Sequence, residues 1–100
     1  MSWTLSNGKV ESESAVRMIL VSLASIRGNP FAFYDAATLA RDPSYQWQML
    51  PSSRKTLADL QFLDESGSMH PTVRNVIECA VVGDDFKMEI LPLDKIVKTT

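Results

Sequence analysis

The chain has 100 residues, 45% hydrophobic and 22% charged, with four Gly, five Pro and one Cys, which suits one soluble globular domain whose core needs no metal or disulfide staple. Ten Lys and Arg against twelve Asp and Glu leave a net charge of −2, which disfavours a strongly basic nucleic-acid or anionic-membrane binder and leaves room only for a local basic patch. Cys79 alone excludes an intramolecular disulfide or a multi-cysteine metal site, and the absence of any run of about 18 apolar residues or of a basic-then-apolar leader at Met1–Lys9 predicts a cytoplasmic protein that does not span a membrane.

Trp3 and Leu5 alternate with Ser2 and Thr4 before the turn residues Ser6-Asn7-Gly8, so residues 1–11 read as a short strand or docked arm. From Ser12 to Arg27, Val16, Ile19, Leu20, Leu23 and Ile26 recur at helical spacing. Met18, Val21 and Ala24 widen that stripe and predict a helix lying across the centre of the core, stopped by Gly28 and Pro30. A short helical signal follows from Asp35, as N-cap, to Arg41, and Pro43 disfavours helix at Asp42. The next helix begins near Ser52 or Ser53, whose hydroxyls suit a cap, continues through Leu57, Leu60 and Leu63, and ends at Asp64-Glu65-Ser66-Gly67.

Pro71–Val82 admits two readings. As a helix, Pro71 sits in the first turn, Val73, Val76, Ile77, Ala80 and Val81 form one stripe, and Gly83 supplies the stop. As a strand, Val76-Ile77 and Val81-Val82 pair with Phe86–Leu91 across Gly83-Asp84-Asp85. The helix fits the period at more positions. A final strand at Phe86–Leu91, ended by Pro92, is expected either way, and residues 95–100 read as a frayed tail. The fold expected is α+β, a single domain over residues 1–100 with three to four helices and a small antiparallel sheet.

No group of residues meets the demands of catalysis. His70 adjoins Asp64, Glu65, Ser66 and Ser68, but neighbours in sequence do not make a triad, and no nucleophile elbow is present. Cys79 lies among apolar residues, beside Glu78, which opposes thiolate formation. Asp85-x-Lys87 has the acid-x-lysine step of some metal nucleases, and Asp64 is merely available as the upstream acid such a site needs, with no further motif beside it. No cofactor is expected.

Ser52, Ser53, Arg54, Lys55 and Thr56 open the helix that runs on into Leu57-Ala58-Asp59-Leu60-Gln61-Phe62-Leu63 and Gly67, and Asp35-Ala36-Ala37-Thr38-Leu39-Ala40 precedes it. Over Asp35–Gly67 the sequence resembles winged helix-turn-helix domains. That resemblance implies a recognition helix whose contacts to DNA come from Ser52, Ser53, Arg54, Lys55 and Thr56, with a hairpin wing at Val76–Leu91. The aromatic span Phe31–Trp47 points elsewhere, because Tyr45 and Trp47 lie in its least regular part, between Pro43 and Pro51, and are residue types that anchor protein interfaces. The sequence therefore favours a small non-enzymatic protein-interaction or regulatory module, with another protein or a second copy as partner, and a winged-helix-like DNA-binding protein as the alternative.

Overall fold

The computed structural model describes residues 1–84 and 87–98. The chain opens with a hairpin in which β1 (Ser2–Thr4) pairs antiparallel with β2 (Val10–Ser12), turned by Gly8 at φ 86°. Ser12 ends β2 and also caps α1 (Glu13–Ser25), its hydroxyl accepting the Ala15 N–H at 3.2 Å. The helix buries Val16, Ile19 and Leu23. Met18, Val21 and Ala24 do not join that core face: all three are exposed, so α1 lies on the edge of the core and not across its centre. Leu20 is half-buried and packs against the same core from the side of that face.

Pro30, expected as a stop for α1, instead starts the next helix, α1 having already ended at Ser25 with Ile26 as its C-cap. Asn29 Oδ1 accepts the Ala32 N–H at 3.3 Å and caps α2 (Pro30–Arg41), well ahead of the predicted N-cap Asp35, which is buried mid-helix. Pro51 likewise opens α3 (Pro51–Asp59) at the first helical position with Leu50 as N-cap and no side-chain cap, so Ser52 and Ser53 lie inside the helix. The helix ends at Asp59 because Gln61 takes a left-handed φ of 63°. Leu60 and Leu63 therefore belong to the following loop. Proline has no N–H to lose at the first turn and its φ is already helical.

For Pro71–Val82 both readings hold in part. The segment forms α4 (Pro71–Ala80) and then passes without a loop into β3 (Val81–Asp84), which pairs antiparallel with β4 (Lys87–Ile90). The helix stops two residues early because Val81 and Val82 are β-branched and pair with Ile90 and Glu89. Gly83 is required in the hairpin: at φ 134° an added Cβ would run into the Lys87 carbonyl oxygen. The predicted turn residue Asp85 and strand residue Phe86 lie outside the described residues.

The predicted frayed tail is instead structured as far as it is described. Leu93–Ile96 forms α5, Ile96 is fully buried, and Val97 bridges to Leu5. Among the described residues, five helices and two two-stranded antiparallel sheets make an α+β fold. Helix α4 is its centre, packed on α1, α2 and α5 and burying Val73, Val76, Ile77, Cys79 and Ala80. Arg41 Nη2 donates to the Val81 carbonyl at 3.1 Å and fastens the end of α2 to the β3–β4 hairpin.

Candidate interaction surfaces

The turn between α2 and α3 is a 3-10 segment, Pro43–Trp47. Asp42 Oδ1 starts it by accepting the Ser44 N–H at 3.1 Å and the Ser44 hydroxyl at 2.7 Å. Tyr45 then points inward, contrary to its predicted exposure, and its hydroxyl donates to Asp35 Oδ1 at 2.8 Å. Burial, then the hydrogen bond to Asp35 and the charge of that carboxylate, push the Tyr45 phenol up to about 12. Asp35 Oδ2 is buried with no hydrogen-bonding partner among the described residues.

Gln46 is the second anchor and is buried. Its side-chain oxygen accepts from Ser68 Oγ at 3.0 Å, and its carbonyl accepts from Arg54 Nη2. Ser68 is presented by a tight loop in which Asp64 Oδ1 accepts the Ser66 N–H at 2.8 Å, the Ser66 hydroxyl at 2.6 Å and the Ser68 N–H at 3.1 Å. The Ser66 hydroxyl bond leads in holding the Asp64 carboxyl below its usual range. Gly67 keeps this loop close to α3, since a Cβ there would sit 3.3 Å from Arg54 Nη1.

With Tyr45 and Gln46 both held from below, Trp47 is turned outward and is 76% exposed, and Leu50 follows it to the surface while Met49 between them is buried. The indole is thus held in water by a turn whose backbone is already ordered by hydrogen bonds.

The residues predicted to contact DNA are dispersed. Ser52 and Lys55 are exposed, Thr56 is half-buried with its hydroxyl donating to the Ser52 carbonyl at 3.0 Å, and Ser53 is buried. Arg54 serves the Gln46 carbonyl. Arg54 and Lys55 therefore do not project together from one exposed face. Exposed Asp59 lies one helical turn beyond Lys55.

His70 is exposed, Cys79 is buried in the packing of α4, and Asp64 is engaged with Ser66 and Ser68. Among the described residues no group of three or more His, Cys, Asp or Glu is placed to hold a metal ion. Asp85 of the acid-x-lysine step lies outside them. No helix there is long and apolar enough to cross a membrane.

A second surface has no counterpart among the predicted sites. Between α1, the Leu60–Phe62 segment and the start of α4 lies an open cleft of about 420 Å³, walled by Ala15, Ile19, Phe62 and Val73 and edged by Met18. Met18 is 69% and neighbouring Val21 71% exposed. The sign of it in the sequence is the surplus of apolar residues in α1 beyond one core stripe.

Comparison of the chain with protein families, with curated proteins and with solved structures finds no match in any of the three.

Proposed function

We propose that the protein is a small interaction module that docks another protein around Trp47. The observation that carries this reading is the 76% exposure of Trp47 on a turn whose two preceding side chains are tied to α2 and to the Asp64–Ser68 loop. Tryptophan is the residue type most enriched at interface hot spots, and a preordered backbone removes part of the entropic cost of association. Leu50 extends the apolar contact beside it.

Trp47→Ala is expected to leave the fold intact, within about 0.5 kcal/mol in urea denaturation, because the side chain is mostly in water. A photo-cross-linkable residue in place of exposed Gln48, beside an intact Trp47, is expected to capture one specific protein in cells, and that protein, once purified, to bind Trp47→Ala at least about 30-fold more weakly than the native chain, the effect of losing a hot-spot side chain. Equal affinity for both chains would refute the reading.

The β3–β4 hairpin after α4 supports a second reading, a winged-helix-like DNA contact with exposed Lys55 of α3 reaching phosphate. Under that reading the native chain binds duplex DNA at low salt, log K falls with log salt, and Lys55→Ala reduces the slope by about one contact. Under the Trp47 reading neither chain binds DNA at low salt. Lys55→Ala is the cleaner variant, since Arg54→Ala would also remove the donor to the Gln46 carbonyl.

A further inference from the structure

We propose that α1 is a self-association surface, pairing antiparallel with α1 of a second copy about a two-fold axis. Its outer face carries Ser14, Met18, Val21 and Ser25, all exposed, at the 4-3-4 spacing of a helix-pairing seam and opposite the core residues Val16 and Leu23. Antiparallel pairing sets Met18 against the partner's Val21 and Ser14 against the partner's Ser25. The stripe is thus its own complement, as a two-fold interface requires.

The shape agrees. Met18 is a protruding apolar knob at the edge of a cleft of about 420 Å³, and a two-fold axis through α1 brings each copy's knob to the other copy's cleft.

Charge does not oppose the pairing. Arg17, beside the stripe, is turned to the other side, its guanidinium 4.9 Å from the centre of the Trp3 ring and 3.9 Å from Glu13. Ser25 already donates its hydroxyl to the Ser22 carbonyl at 2.5 Å, so covering it leaves no stranded donor. The cleft is walled and edged without Lys, Arg, Asp or Glu, and a net charge of −2 repels a second copy only weakly.

The footprint bears on the strength. A standard interface covers about 800 Å² per partner, and the α1 stripe, about 20 Å long, reaches that only with the cleft walls at Leu60–Phe62 and Pro71–Val73. Area alone does not set affinity, and a stripe with two apolar residues is expected to give a reversible dimer.

Sedimentation over a concentration series tests this. The native chain is expected to pass from monomer to dimer, Trp47→Ala to do the same, and Val21→Glu to raise the dissociation constant on the order of 100-fold by burying an unpaired carboxylate. Met18→Lys alone is likewise expected to be monomeric. An equimolar mixture of the Met18→Lys and Val21→Glu chains is expected to dimerise again. Antiparallel pairing sets the introduced ammonium of one chain against the introduced carboxylate of the other and keeps the native contact between Val21 and Met18 on the far side of the axis. Both positions are exposed, and unchanged circular dichroism and urea midpoints would show that the variants fold. A native chain that stays monomeric at millimolar concentration, a Val21→Glu chain that still dimerises, or a mixture that does not recover would each overturn the proposal. Dimerisation lost with Trp47→Ala and kept with Val21→Glu would overturn it too, placing self-association at the aromatic turn.

Discussion

Ile96→Ala is expected to destabilise the protein by about 2–5 kcal/mol, the usual cost of removing buried Ile methyl and methylene groups from a core that cannot fully collapse. Ile96 is fully buried and α5 packs on α4. Its carbonyl also accepts the Ser6 N–H at 2.8 Å, and two residues on the Lys98 N–H donates to the Thr4 carbonyl at 2.8 Å, so this segment joins the amino-terminal hairpin to the central helix. A domain of this size has roughly 5–15 kcal/mol of total stability, which makes the loss a large part of the whole. Urea denaturation should show a lower midpoint at unchanged slope, while Leu93→Ala, at a partly exposed position on the same short helix, should cost much less. A change below about 0.5 kcal/mol for Ile96→Ala, the size of a surface substitution, would mean that this segment does not dock.

Tyr45→Phe is expected to cost about 1–3 kcal/mol at neutral pH, because it deprives a buried carboxyl group of its hydrogen-bond donor. Asp35 Oδ1 would join Oδ2 in having no partner among the described residues. The substitution also changes the alkaline limb of stability. Tyr45 ionises near 12 in the folded chain and at its ordinary value of 10.0 when free. Between those values the unfolded chain has released its proton and the folded chain has not. Stability that is complete below pH 10 is therefore lost as pH rises toward 12. Thermal melts across that window should fall more steeply for the native chain than for Tyr45→Phe. Parallel curves would mean that the phenol is free in solution. Because the same bond holds the turn beneath Trp47, Tyr45→Phe is also expected to weaken partner binding through the backbone, with Trp47 itself unchanged.

Much of the fold is legible in local pattern. The apolar period of α1, the alternation of Trp3 and Leu5, and the stripe of α4 each appear where expected, because a helix or strand with one covered face must repeat its apolar residues at that period. The α+β class follows from those elements. The prolines are only half legible. Pro30, Pro51 and Pro71 all open helices, yet in sequence Pro30 reads as a stop for the helix before it, which already ends at Ser25. At Pro71–Val82 helical periodicity and β-branched composition are both real signals, and they apply to successive parts of the segment.

The candidate sites are less legible. Trp47 stands out by its residue type and irregular surroundings. Its neighbour Tyr45 faces the other way because a carboxyl group ten residues earlier, in the middle of an alanine-rich helix, needs a donor. Asp35 itself resembles an N-cap until the helix is seen to start at Pro30. Arg54 and Lys55 look alike in sequence and are separated by the helical wheel, which turns one toward the Gln46 carbonyl and the other toward water.

Composition and net charge, then, by themselves determined that the chain can build one core without disulfides and disfavoured a strongly basic binding surface, since those are properties of sums over residues. Which apolar residues enter that core was decided only in the tertiary structure. Burial depends on what lies across the contact: α1 carries more apolar residues than its neighbours can cover, and the excess, Met18 and Val21, is left on the surface. The same holds for charge. Ten cations against twelve anions describe the whole molecule, while packing decides the individual charge: Arg17 lies over Trp3 and Arg54 serves a backbone carbonyl, whereas Lys55 stays in water.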